Sequence, residues 1–363
     1  MNRSFPLRRA ASARPHPVFP CRVLLGAVLL AFGGLAPVQA DDGLVVVGYG
    51  GAGQKAQEVA FFQPFTQQTG IPVVQSEYNG EMARIKVMAD TGHADWDLVQ
   101  VEGPDLARGC DDGLFERLDW QAIGGKQQLI ANAAQECGSA ALVWGVAIGY
   151  DADRLQQPPA SWADFWDVQR FPGKRGLRKR AIYNLEFALL ADGVPRGQVY
   201  PLLATRAGAD RAFAKLGQLK PYIQWWEAGA QPAQWLAAGD VVMTSTYTGR
   251  IADAHRAGRN LALVWQGSLY GMDYWAVVKG SKRGAEARRF IAFANAPDAQ
   301  VRYVENIPYG PTNRQAAQRL PAQLASWVPT APANLEQGLA MDDEFWVEHG
   351  EELEERFNAW ASQ

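Results

Sequence analysis

Histidine and cysteine are both scarce in this chain of 363 residues, which holds four of the first and three of the second. Beyond residue 40 the histidines are His93, His255 and His349, and none stands in ligand spacing with another His or Cys, so a zinc-type site lacks its donors. No G-x-S-x-G is present and no histidine has a nucleophile to serve, which removes the usual parts of a hydrolase. The acidic groups Asp111-Asp112 and Asp342-Asp343-Glu344 read as loop or helix-start charges rather than as acid/base pairs. A long apolar run is also missing after residue 40, so no segment there reads as a membrane span, which needs about 20 residues. Finally, the chain lacks a basic excess, with 35 Lys+Arg against 38 Asp+Glu. That excludes nucleic acid as a partner, because such binding rests on basic surface.

The first forty residues read as an export leader. Arg3, Arg8, Arg9, Arg14 and Arg22 form a positive segment with no acidic residue, Val23 to Leu35 form the apolar stretch, and Val38-Gln39-Ala40 closes it with a small-residue cleavage pattern. Cleavage there leaves 30 Lys+Arg against 38 Asp+Glu, a net charge of −8 on a periplasmic protein. Of the cysteines, Cys21 precedes the apolar stretch, and Cys110 and Cys137 remain. A pair of cysteines in an exported chain reads as one disulfide.

Strand-like and helix-like segments alternate through the remainder. Leu44–Val47, Ile71–Ser76 and Asp97–Val101 read as strands, separated by helices Lys55–Gln68 and Glu81–Asp90 that stop at Thr69-Gly70 and Thr91-Gly92. This βαβαβ pattern predicts a parallel sheet with helices on both faces. Ala140–Tyr150 reads as a long strand or strand pair. A second α/β region follows, with helices from Ser161, over Leu185–Ala191, Pro195–Leu219 and Gln231–Ala238. Its strands fall near Gly176–Ile182, Tyr222–Trp225 and Asp240–Thr244. Leu261–Trp265 and Tyr274–Val278 read as two further strands, and Ser281–Ala294 as a helix. The fold class expected is α/β, with two doubly wound lobes and a ligand cleft between them. Lobe 1 takes residues 41–150 and about 274–315, and lobe 2 takes 151–273 and about 316–363. Ligands in such sheets sit outside the carboxyl ends of the strands.

One motif points elsewhere. Gly48-Tyr-Gly50-Gly-Ala-Gly53 matches G-x-G-x-x-G between a strand and a helix, with Glu77 on the next strand, so a dinucleotide-binding oxidoreductase is the alternative reading. Export and the missing hydride-transfer acid weigh against it, and no cofactor is expected. The loop's backbone amides suit an anionic group of a ligand equally well.

Aromatics are plentiful, with 13 Trp and 11 Tyr. Tyr49, Tyr78, Trp225-Trp226, Tyr247 and Tyr270 fall at expected strand ends, where ring faces bind cationic nitrogen. Pro159-x-Ser161-Trp162-Ala-Asp164-Phe-Trp166-Asp167 and Phe171-Pro-Gly-Lys174-Arg175 resemble the start of the second lobe in solute-binding proteins of ABC importers. The spermidine/putrescine-binding branch is the most similar, and Gly70-Ile-Pro-Val-Val, Asp97-Leu-Val, Gly239-Asp-Val-Val-Met and Ile307-Pro-Tyr-Gly-Pro311 agree with it from about Leu44 to Asn313. The resemblance implies a periplasmic binding protein fold of type II, a monomer without enzymatic activity, and an inner-membrane ABC permease as partner. It also implies that Asp273, in Gly271-Met-Asp-Tyr-Trp275, binds an amine and that Tyr247 boxes an alkyl chain. The branch's usual Trp before that Asp is Gly271 here, and Arg178-Lys179-Arg180 with Tyr183 stand where a polyamine site places carboxylates. Arg250, after Tyr247-Thr-Gly249, points to the cleft by the same resemblance. A guanidinium there suits a carboxylate, so Arg250 and Asp273 together suit an ω-amino acid such as 4-aminobutyrate. Glu102 and Glu227, the latter beside Trp226, are alternative carboxylates for a diamine such as putrescine.

Overall fold

The computed structural model describes residues 43–155 and 157–362. The leader read from Arg3 to Ala40 lies outside the described residues. In chain order the elements are β1 (Leu44–Gly48), α1 (Gly51–Gln57), α2 (Gln63–Thr69), β2 (Val73–Glu77), α3 (Met82–Thr91), β3 (Leu98–Glu102), α4 (Gly103–Asp111), β4 (Gly138–Asp151), α5 (Trp162–Trp166) and β5 (Arg175–Arg178). There follow α6 (Asn184–Ala191), α7 (Val199–Leu203), α8 (Arg206–Gly217), β6 (Ile223–Trp226), α9 (Gln231–Ala238), β7 (Met243–Tyr247), α10 (Thr248–Arg256) and β8 (Leu261–Val277). The chain closes with α11 (Gly284–Ala294), α12 (Pro297–Asn306), α13 (Arg314–Gln318), α14 (Ala322–Ala325), α15 (Pro332–Gln337), β9 (Leu339–Ala340) and α16 (Asp343–Ala361).

One mixed sheet runs in the order β2-β1-β3-β8-β4-β7-β5-β6, with β9 on β8. The expected parallel βαβαβ start is present: β1 pairs parallel with both β2 and β3. A second parallel set, β7-β5-β6, forms the other end. The two long strands β4 and β8 lie antiparallel to each other and join the two sets, so the sheet is mixed rather than parallel throughout. β1 is apolar along its length and almost wholly buried, as a strand covered on both faces must be.

The sequence reading missed α4, α10 and the helices α12 to α15, and the one helix expected over Pro195–Leu219 is broken into α7 and α8; three further differences have a clear physical reason. α1 and α2 are one continuous helical run joined by a π-wound turn at Glu58–Phe62, so the helix starts at Gly51, four residues before the expected Lys55. Its end at Gly70, and that of α3 at Gly92, are left-handed glycine caps as expected. The two strands expected on either side of residues 266–273 are one strand, β8. The stretch Gln266-Gly-Ser, with Gly267 at φ 72°, interrupts the apolar pattern, yet β4 keeps pairing through a register shift between Val146 and Ile148. The C-terminal helix α16 went unread because of its many acidic residues. Asp342 caps it, accepting from the Phe345 N–H at 2.9 Å, and its inner face buries Phe345, Trp346, Leu353 and Phe357.

Cys110, at the end of α4, is bonded to Cys137, one residue before β4. This ties β3's following helix to the crossing strand. A large apolar core covers both faces of the sheet, with Phe61, Phe65, Trp275 and Phe290 fully buried in one part and Trp162, Phe165 and Phe187 in another.

Candidate ligand-binding site

A small cavity of about 50 Å³ opens where the carboxyl ends of β1, β3, β5, β6 and β7 converge on the middle of β8. Two sets of residues line it from opposite sides. Tyr49, Gly50, Gln57, Gln100 and Asp273 belong to the β2-β1-β3-β8 side; Arg178, Trp226, Glu227, Tyr247 and Arg250 come from the β7-β5-β6 side. Trp144, on the crossing strand β4, and Tyr303 and Tyr309 complete the wall.

Among the described residues, Asp273 is the one buried acidic residue of the lining, at 6 % exposure. Gln57 Nε2 donates to Gln100 Oε1 at 2.6 Å, and Gln100 Nε2 donates to Asp273 Oδ2 at 2.5 Å. This relay uses one carboxylate oxygen and leaves Oδ1 without a hydrogen bond in the structure. The Trp144 indole N–H stands close enough to Asp273 to lower its pKa, yet outside hydrogen-bond geometry. Burial first, and the neighbouring Glu102 charge second, hold the Asp273 carboxyl well above the usual carboxylate range. A cationic group placed beside Oδ1 would offset both.

Arg250 is the third residue of α10, whose N-cap is Tyr247, so the positive end of this helix dipole lies at the cavity as well. The guanidinium is buried, donates through Nη2 to the Gly50 carbonyl at 3.1 Å, and leaves Nε unpaired. It does not pair with Asp253, which is taken by Arg256. The glycine loop that resembles a dinucleotide fingerprint is wrapped around this guanidinium: a β-carbon on Gly51 would overlap Nη1, and Gly51 has φ 61°. The close backbone approach that the motif permits is thus directed at a side chain of this chain.

Glu102 is buried but does not line the cavity. Its Oε1 accepts from Arg178 Nη1 at 2.9 Å, Tyr183 OH at 3.0 Å and Tyr247 OH at 3.2 Å. Burial pushes its carboxyl up, but Arg178, Arg180 and these hydrogen bonds outweigh burial and bring it below the usual range. The Arg178 charge is correspondingly stabilised: burial opposes it and Glu102 more than compensates. The rest of the basic run is matched too, Lys179 by Glu227 at 3.3 Å and Arg180 by Glu354 at 3.2 Å.

The structure therefore brings together Tyr49, Trp226, Glu227, Tyr247, Arg250 and Asp273 around the cavity, with Glu102 one layer behind. Tyr49 stacks on Tyr78 at 5.1 Å, and Trp226 packs edge-on to Tyr247 at 5.9 Å. Tyr270 is not among them; its carbonyl accepts from Met341 at the β8–β9 pairing and its ring covers Gly338. Sequence reasoning missed Gln57, Gln100, Trp144, Tyr303 and Tyr309. Trp144 gave no sequence signal: it pairs in register with Gly271 across two distant strands, and a β-carbon there would lie 2.5 Å from its ring. Position 271, where the polyamine-binding branch usually has tryptophan, is glycine here, and the ring beside it is Trp144 from the neighbouring strand.

Residues 60–334 match the family described as bacterial extracellular solute-binding protein, and the chain belongs to that family. It is 56% identical over 334 residues to a gamma-aminobutyric acid-binding protein of Pseudomonas aeruginosa, covering 92% of this chain and 95% of that one. Among solved structures, the Atu4243 GABA receptor is 32% identical with a TM-score of 0.79, covering 88% of this chain and 98% of its own. AgtB of A. tumefaciens R10, in complex with agropinic acid, is 30% identical with a TM-score of 0.81 over 88% and 98%.

Proposed function

We propose that this solute-binding protein captures 4-aminobutyrate, or an ω-amino acid of similar length, in the periplasm and delivers it to an inner-membrane ABC permease. The observation that carries the reading is the opposition of Arg250 and Asp273 across one small cavity. Each is buried and each keeps an unpaired polar atom. A zwitterion with separated ends satisfies both, its carboxylate on the guanidinium fork and the α10 terminus, its ammonium on Asp273 among aromatic faces. The names of the Pseudomonas relative and of the Atu4243 receptor support the same ligand.

A diamine fits less well. Its second ammonium would meet Arg250, and Glu102 is already committed to Arg178; Glu227 is largely exposed beside Lys179. Burying an ammonium without a partner is costly. A zwitterion bridging the two sides also gives a reason for closure: it contacts both only when the β2-β1-β3-β8 side and the β7-β5-β6 side approach.

A thermal-shift panel of 4-aminobutyrate, 5-aminovalerate, putrescine and spermidine tests this. The expected result is stabilisation by the ω-amino acids alone. Stabilisation by spermidine or putrescine with none by 4-aminobutyrate refutes the zwitterion reading.

A further inference from the structure

Glu102 was a candidate ligand group in the sequence, and the structure gives it different work. It ends β3, on the β2-β1-β3-β8 side of the cavity. Its three partners all belong to the other side: Arg178 ends β5, Tyr183 precedes α6, and Tyr247 ends β7. The Glu102 and Arg178 side chains are 4 % and 7 % exposed. Two opposite charges withdrawn from water in this way persist only while they face each other with supporting hydrogen bonds, which the two tyrosines supply here. Opening the cleft parts Glu102 from its three partners at once and rehydrates both charges. Glu102 itself does not line the cavity; of its partners, Arg178 and Tyr247 do and Tyr183 does not, so Glu102 meets the ligand only through them.

We infer that Glu102 is a cross-cleft clasp: by holding Arg178, Tyr183 and Tyr247 it sets how tightly every accepted ligand is held, without choosing between ligands. The inference rests on the reading of a binding protein that closes on its solute. The apparent dissociation constant of such a protein is the intrinsic one divided by the fraction in the closed form. A contact made only in the closed form raises that fraction for all ligands alike, so it cancels from their ratio. A group that received the ligand's ammonium would not cancel.

The test uses the full chain with Glu102→Gln and with Tyr183→Phe, with circular dichroism to confirm folding. Calorimetry measures 4-aminobutyrate and 4-hydroxybutyrate, which shares its length and carboxylate but lacks the ammonium, on each. Glu102→Gln is expected to weaken both ligands by the same factor, at least about tenfold, which is roughly one hydrogen-bonded charge pair's worth. Tyr183→Phe, which buries no unpaired charge, is expected to weaken both equally and by less. A folded Glu102→Gln protein with unchanged affinity, or a loss confined to one ligand, overturns the clasp. Wild-type protein that binds neither ligand overturns the ligand reading instead. The clasp is then read from the distance between spin labels at Val87→Cys and Arg206→Cys in the ligand-free protein. It stands if Glu102→Gln lengthens that distance and falls if the two distributions coincide.

Discussion

Arg250 lies against the backbone of Gly51 so closely that no other residue type fits at position 51 without moving the guanidinium. A helix on one side of the cavity and the first loop on the other are joined at this point, and the Nη2–Gly50 hydrogen bond fixes the fork's orientation. Two predictions follow from this pair of residues.

Gly51→Ala is expected to weaken 4-aminobutyrate binding more than it weakens the fold. A non-glycine residue at φ 61° costs about 1–2 kcal/mol of stability, whereas displacement of the guanidinium removes the carboxylate's partner. Calorimetry and a thermal melt on the same variant separate the two effects.

Arg250→Lys keeps the charge and loses the planar fork. Affinity for 4-aminobutyrate is expected to fall about 10- to 100-fold, since a point charge cannot replace a bidentate pair. Arg250→Ala is expected to abolish binding. Equal retention of affinity by both variants in calorimetry would make Arg250 structural.

Ligand binding is expected to strengthen with rising pH and to release a proton. Burial and Glu102 raise the Asp273 pKa in the free protein, so at low pH the carboxyl is neutral and offers an ammonium little. Affinity therefore climbs as pH rises toward that raised pKa, and levels off above it. Calorimetry in two buffers of different ionisation enthalpy reads the released proton directly, and Asp273→Asn should remove both the proton and the pH dependence.

Stability has a separate pH dependence at Glu186. Its Oε1 accepts from Tyr200 OH and Trp346 Nε1, Oε2 has no hydrogen bond in the structure, and burial pushes the carboxyl up to about 7. A raised folded pKa means the native state holds the proton more tightly than the unfolded chain. That contribution is complete at acid pH and is lost as pH rises from the ordinary glutamate range through about 7. Glu186→Gln should therefore lessen the loss of stability between pH 5 and 8, by on the order of 3 kcal/mol at the alkaline end, while Asp343, raised to about 7, and Asp105, raised to about 6, keep part of the slope.

The alternation of strands and helices was legible because the parallel strands are buried on both faces and the helices end on glycine. The disulfide was legible from two cysteines in a chain whose first forty residues read as an export leader. The long strand β8 was not, since Gln266-Gly-Ser breaks its apolar pattern while β4, far away in sequence, supplies the pairing. At the site, Arg250 and Asp273 stood out by their charge and by the resemblance. Gln57 and Gln100 did not, because a glutamine has no local signature of the carboxylate it will meet; 173 residues separate Gln100 from Asp273. Glu102 was visible as a buried-strand-end carboxylate, but its partner could only be assigned once Arg178 was placed across the cavity. The G-x-G-x-x-G loop shows the converse: its spacing reports close approach to the backbone, and the structure finds the Gln54 and Glu77 side chains at Gly48 and Gly50, with Arg250 at the extra glycine Gly51.

Calorimetry of the ligand-free protein with 4-aminobutyrate and with its amide, 4-aminobutanamide, tests the central claim most directly. The two ligands share length and ammonium group and differ in the carboxylate that Arg250 is held to receive. The account predicts that the amide binds at least about 100-fold more weakly, as expected when a buried guanidinium loses its charged partner. Equal affinity for the two would contradict it.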